Sequence, residues 1–260
     1  MIRGSKDPDN STQDAGVSPG QDDTLALIGR LLRQDWRAVI WVALTGITLF
    51  YWLQNTALRY TTAVNAGVLS NLTAIFMALI AVAVLGERLR ALEWGAMAAA
   101  FGGAVLISQG AGHLTVSRGG LIGDLLMVAA CLFAAIYSIG GKRLAEKYPA
   151  AVVTTVVATI GALFLLPLAL LEGLRLDLPL AAWGILLLLG LGASALANAW
   201  WLAILARMPA SRAALALFLI PVISAALAVL LLKEPLTLTI VLGSALVLGG
   251  VMVVQGWRGA

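Results

Sequence analysis

Charge is what this chain of 260 residues has least of: Asp, Glu, Lys and Arg together make up 12%. That is about half the share of an ordinary soluble domain and argues against a water-facing globule. Cysteine occurs once, at Cys131, so no intrachain disulfide can form, and the thiol reads as a small buried apolar side chain. Histidine also occurs once, at His113 in a predicted loop, which leaves no HExxH metal site and no base for a serine nucleophile such as Ser194. No second acid is placed to face Asp124 as an aspartyl pair would require. No P-loop pattern supports nucleotide-driven transport, and no charged stretch leads into a short apolar core as a secretory signal would. The chain reads as a non-enzyme that needs no cofactor and no metal. Its pI of about 9.6 invites a nucleic-acid partner, but in so apolar a chain the basic excess is first a signal of membrane orientation.

What is present is hydrophobicity. Apolar residues reach 61% and the mean hydropathy is +0.96. A helix needs roughly 20 apolar residues to cross a hydrocarbon core about 30 Å thick. Eight such runs can be drawn: Ala38 to Leu58, Thr62 to Leu85, Ala91 to Gln109, Gly120 to Gly140, Ala150 to Leu171, Leu180 to Leu205, Pro209 to Leu232 and Leu238 to Gln255. Segments such as LLLLGLGASAL do not alternate in polarity, which excludes a β-barrel. The expected fold is an all-α polytopic membrane protein.

Residues Met1 to Asp23 are polar, aperiodic and rich in Gly, Ser, Pro and Asp, the composition of a disordered tail. The opening MIRGS also has the look of an appended tag. Asp23 to Trp36 then puts Leu25, Ile28, Leu32 and Trp36 on one helical face, with Arg30, Arg33 and Arg37 around it, as in a helix lying in the membrane interface.

Counted along the spans, one face collects Arg30, Arg33, Arg37, Arg88, Arg90, Lys142, Arg143, Lys147, Arg207, Arg212 and Arg258. The other holds Arg59, Arg118, Arg175 and Lys233. The positive-inside rule makes the first face cytoplasmic, with both termini there. The setting implied is the cytoplasmic (inner) membrane of a bacterium, with the lipid bilayer and a small-molecule solute as partners.

The sequence also repeats itself. VLGERL at Val84 to Leu89 and LLKEPL at Leu231 to Leu236 each put a glutamate after an apolar run, and each is followed by a run carrying Gly-Gly. Glu87 to Glu234 is about the same step as Gly102 and Gly103 to Gly249 and Gly250. The two glutamates fall on opposite faces, so the copies run in opposite directions. Inverted repeats of this kind build secondary transporters with a site near the membrane midplane. Ala98 with Gly102, and Ala245 with Gly249, are the small-xxx-small pairs expected to bring helices together. The first three spans pair with the last three, leaving the fourth and fifth without mates.

These residues resemble the EamA-type members of the drug/metabolite transporter superfamily. The likeness rests on ALRYTTAVNAGVLSNLTAIFMALIAVAVLGERL with its GG, on GDLLMVAACLFAAIYS, and on ARMPASRAALALFLIPVISAALAVLLLKEPL with its GG, and covers roughly Asp35 to the end. It implies a fold of two inverted five-helix repeats: here an incomplete first repeat over 24–112, lacking two helices, and a second over 113–260. Either a truncated ten-helix protein or a genuine eight-helix variant fits. Ala74 stands where the second copy has Pro221, and Phe133 where the family often has Trp. The function implied is secondary transport, as an exporter of small metabolites such as amino acids or amphipathic compounds by alternating access. The rival is a scaffold, or part of a split transporter whose remaining helices come from a partner chain; a homo-oligomer is a further arrangement.

Polar and aromatic residues at membrane depth are the candidate solute contacts: Asn71, Tyr51, Trp52, Tyr137, Asn198, Trp201 and Phe218. Asn71 would offer both donor and acceptor, with Asn198 facing it. Phe133 and Trp200 belong to the same aromatic set, while Trp36, Trp41, Trp94, Trp183 and Trp257 read as interfacial belt residues. Pro221 removes a backbone bond in mid-span and is the candidate hinge. Asp124 is the candidate proton site. Glu87 and Glu234 are expected to pair with neighbouring cations or to satisfy the start of the next helix.

Overall fold

Backbone amides in hydrocarbon must find partners within their own segment, and this chain folds as its apolar runs dictate. The computed structural model describes residues 21–111, 118–173, 177–231, 233 and 236–256. Most of the polar tail, the loop with His113, and Arg175, Glu234, Trp257 and Arg258 lie outside these. Among the described residues all regular structure is helical. The helices are α1 (Gln21–Gln34), α2 (Trp36–Ala57), α3 (Ala63–Leu85), α4 (Ala91–Ala111), α5 (Arg118–Ala145), α6 (Ala150–Leu171), α7 (Leu180–Arg207), α8 (Ala210–Leu231) and α9 (Leu238–Gly256). Helices α2 to α8 are long and apolar enough to cross a membrane. The 19 residues of α9 rise about 28 Å, close to the hydrocarbon thickness. Pro149, Pro179 and Pro209 stand at the starts of α6, α7 and α8, where a missing N–H costs nothing.

The repeat is visible in the backbone. A shift of 147 residues, Glu87 to Glu234 in the sequence, carries the features of one copy onto the other. Helix α3 breaks at Asn71 (φ −67°, ψ −16°) and α8 at its mate Phe218 (φ −67°, ψ −13°). A π-helical turn over Leu44–Leu49 in α2 has its counterpart over Leu189–Leu196 in α7. Helix α3 ends at Gly86 with φ 68°, and Lys233, with φ 56°, follows α8 in the same left-handed conformation. Between α4 and α9 the symmetry is one of contacts. A Cβ on Gly103 would meet the Gly243 carbonyl at 2.5 Å, and one on Gly250 would meet the Ala96 carbonyl at 2.7 Å. These contacts exchange under the shift, and the rising number on one helix meets the falling number on the other. The pair is therefore antiparallel about a local two-fold axis.

This corrects the expectation for the small-residue pairs. Gly102 and Gly249 have nothing within 4 Å of an added Cβ, and Ala98 is exposed. The close approach is made one residue further on, because a single step turns a helical side chain by about 100°.

The core lies between α2, α3, α5, α6 and α8, where small side chains meet. Ala43, Ala74, Ala78, Ala81, Ala213 and Ala214 are buried, with Met77, Val153 and Val157 filling the space between. Helix α7 stands at the edge, with none of its most apolar stretch buried, and holds on through Leu202 and Leu205 in its last turns. On α1, Leu31 is buried while Leu25 and Leu32 are exposed; Trp36, expected on the same face, is exposed at the start of α2, with the Arg37 guanidinium 5.3 Å from its ring.

Candidate solute site and gate

The break in α3 exists because Asn71 replaces backbone with side chain. Its own N–H turns to the Val68 carbonyl at 3.2 Å, and its amide group donates to the Gly67 carbonyl at 2.9 Å, which the helix would otherwise leave unpaired. The donor expected for a solute is therefore already committed to the helix. In α8 the same break is made differently: Pro221 has no N–H to give the Leu217 carbonyl.

Around these breaks lies a cavity of about 560 Å³, within the range of small-molecule sites. Helix α3 contributes Gly67, Ser70, Asn71 and Thr73, and α8 contributes Leu217, Ile220, Pro221, Ser224, Ala225 and Ala228. Phe50 and Gln54 come from α2, Ile107 and Ser108 from α4, Met127, Cys131 and Ala134 from α5, and Ile240 from α9. The lining is apolar with a few hydroxyls and amides, and no charged side chain is among it.

The cavity is off-centre. It takes the last turns of α2 and α4, the first half of α3 and the middle of α5, and it reaches Ala228 near the end of α8. Apart from the middle of α5, these lie toward the face opposite the cluster of Arg and Lys, here called the basic face.

The basic face is tied shut. Glu87, beyond the end of α3, accepts from Ala210 N at 2.7 Å, from Ser211 N at 2.9 Å and from the Ser211 hydroxyl. It caps α8, which lacks a capping side chain of its own because Pro209 precedes it. Glu87 thus satisfies the start of a helix 123 residues away rather than of the next one, a departure from expectation. Arg143 of α5 donates to the Val84 carbonyl at 3.1 Å. The largely buried Lys142 ammonium donates to the carbonyls of Leu205 at 2.6 Å and Met208 at 2.9 Å, where the end of α7 carries partial negative charge.

A last tie joins Asp35, before α2, to Lys147 and Tyr148, each at 3.0 Å. The Lys147 hydrogen bond holds the Asp35 carboxyl below its ordinary value of 3.8, outweighing its partial desolvation. With the folded value depressed, the stabilisation is full above that ordinary value and is lost as pH falls through the folded one. Thermal melts between about pH 6 and about pH 3 should therefore show wild type losing more stability than Asp35→Asn, by under about 1 kcal/mol for so exposed a pair.

The structure separates residues that the sequence grouped together. Asn71 and Pro221 line the large cavity. Tyr51, Tyr137 and Asn198 line a second pocket of about 130 Å³ between α2, α5, α6 and α7, so Asn198 does not face Asn71. Trp52 donates to Glu172 at 3.0 Å beside the Arg59–Glu172 ion pair at the opposite face. Trp201 donates to the Ser138 hydroxyl at 3.1 Å, and Phe218 is fully buried at the break of α8. None of these three lines either cavity. Asp124 accepts from the Thr61 hydroxyl and lies 3.5 Å from the Asn65 amide, tying the start of α5 to the turn before α3, and it also lies outside both cavities. Gln54, Ser108 and Ser224 were not singled out in the sequence, although each is a polar group within an apolar run.

The model of a family described as the EamA-like transporter family matches residues 24–109 and 121–255. An uncharacterized transporter of Archaeoglobus fulgidus is 29% identical over 219 residues, spanning 84% of this chain and 75% of its own. A probable terminal-alkyne amino-acid exporter of Streptantibioticus cattleyicolor is 28% identical over 213 residues, 81% of this chain and 70% of its own. A crystal structure matches with a TM-score of 0.77 at 22% identity, over 90% of this chain and 82% of the other, a likeness of fold.

Proposed function

Since this chain belongs to the EamA-like transporter family, we propose that it is a secondary transporter exporting a small, net-neutral amphipathic metabolite of the amino-acid type across the cytoplasmic membrane by alternating access. The observation that carries this reading is the asymmetry of the molecule: a cavity of about 560 Å³ toward one face and a hydrogen-bonded closure at the other. If the basic face is cytoplasmic, the arrangement is the outward-facing state from which an exporter releases its solute.

The lining favours one class of solute. A net charge placed among Gln54, Ser70, Asn71, Thr73, Ser108 and Ser224 would have no countercharge, and burying it would cost several kcal/mol. An apolar side chain with a balanced polar end fits. The kinship with a probable amino-acid exporter supports the same class.

In liposomes containing the purified protein, efflux of neutral amino acids with apolar side chains should exceed that of lysine or aspartate by about tenfold or more, the ratio expected from roughly 1.4 kcal/mol of discrimination. Folded protein with no efflux of any solute would instead favour the scaffold or split-transporter reading.

A further inference from the structure

Three arginines on the basic face take no part in its closure: Arg30, Arg33 and Arg37, grouped where α1 meets α2. Asp35, between these helices, is tied to Lys147 and Tyr148 just before α6, so the corner sits at the level where two membrane spans begin. Arg33 and Arg37 stand two residues to either side of Asp35, and both are exposed. Arg30 is exposed one turn further back, and its charge is felt at the Tyr148 hydroxyl. Lys147 adds a fourth cation that stays largely exposed beside Asp35.

The carboxylates nearby do not cancel this charge. Asp35 is already shared by Lys147 and Tyr148, Glu146 pairs with Lys142 at 3.0 Å, and Asp23 lies about 10 Å back along α1 from Arg30. Arg30, Arg33 and Arg37 have no carboxylate partner among the described residues.

Beside the arginines runs an apolar line. A helix turns about 100° per residue, so Leu25 and Leu32 share one line of α1. On one side of it Leu31 is buried, where α1 packs on α2 and α6, and on the other stands Arg33. Leu25 is 62% exposed and Leu32 42%. Trp36 and Trp41 are exposed in the first turns of α2, the depth at which indole rings sit in a bilayer. An apolar strip set at about a right angle to a cationic one, at the end of a span, matches the boundary between acyl chains and phosphates.

We infer that α1 and the corner at Asp35 form a docking site for anionic phospholipid, with Arg30, Arg33 and Arg37 on the headgroup phosphates and Leu25 and Leu32 against the acyl chains. A zwitterionic headgroup offers the same phosphate, but its own ammonium competes with the arginines. A soluble phosphate offers nothing to the leucines.

The test is the thermal stability of the purified full chain in uncharged detergent, titrated with phosphatidylglycerol, with phosphatidylcholine of the same acyl chains, and with inorganic phosphate. Tm should rise saturably with phosphatidylglycerol and much less with the other two. The rise should shrink in about 1 M salt, where the screening length falls to about 3 Å. Each cation close to an anionic surface contributes about a fivefold gain in affinity. The triple variant Arg30→Gln, Arg33→Gln, Arg37→Gln should therefore need at least about tenfold more phosphatidylglycerol for the same rise, while the triple lysine replacement keeps most of the response. Arg207→Gln removes an exposed cation of the same face at the end of α7. It should change the response by less than about twofold, which separates a site from the diffuse charge of the face. In phosphatidylglycerol vesicles, a nitroxide on Leu25→Cys, with Cys131 replaced by alanine, should meet oxygen more readily than a water-soluble relaxant. Equal rises with phosphatidylcholine, a rise reproduced by inorganic phosphate, an undiminished response in the triple glutamine variant, or a Leu25 probe that stays in water would each overturn the proposal.

Discussion

Replacing Glu87 by alanine is expected to open the basic face and reduce efflux by at least tenfold. The carboxylate accepts from the N–H groups of Ala210 and Ser211, both nearly or fully buried residues at the start of α8. Pro209, at the N-cap position, supplies no capping side chain of its own. Two buried donors left without an acceptor, and a helix N-terminus left without its negative charge, cost about 2 to 4 kcal/mol. That cost falls only on the conformation in which α3 and α8 meet at this face, so the equilibrium shifts away from it. Glu87→Gln should be nearly as damaging, because its amide has one acceptor oxygen and its NH2 opposes the backbone donors. Ser211→Ala, which loses only the hydroxyl contact, should be mild. Efflux together with thiol accessibility at the basic face separates this from misfolding: the glutamate variants should become more accessible while retaining folded yield.

Gly103→Val is expected to abolish folded protein, while Gly102→Val beside it is tolerated. At Gly103 the new Cβ would sit 2.5 Å from a backbone oxygen of α9 and 2.9 Å from Val247. A carbonyl within a helix cannot step aside, so α4 and α9 must part and lose their shared surface, a cost of about 3 kcal/mol or more. Gly102 has open space around it. The two-fold relation extends the prediction: Gly250→Val should fail as Gly103→Val does, and Gly249→Val should behave as Gly102→Val does. Monodisperse yield in detergent measures all four.

The sequence carried the number and order of the helices, because backbone satisfaction in hydrocarbon leaves little choice. It also carried the mirrored copies, because Glu87 and the Gly-Gly pairs recur at one step. It did not carry azimuth. Phe50 and Tyr51 are neighbours, yet one lines the large cavity and the other the small pocket. The π-helical turns that set this phase leave the hydropathy pattern untouched. Depth alone made Asn71 and Asn198 look like partners, although α2 and α5 stand between their pockets. The latch at Glu87 was legible as an interfacial carboxylate, but its partner is distant in sequence and nothing in the local pattern points to it.

The central claim is that the cavity opens away from a basic face that is closed and cytoplasmic. With Cys131 replaced by alanine, a membrane-impermeant thiol reagent added to intact cells should label Ser224→Cys, whose position lines the cavity. It should label Arg88→Cys, beside the Glu87 latch, only after the cells are made permeable. Labelling of Arg88→Cys in intact cells, with Ser224→Cys unreactive from outside, would contradict the account.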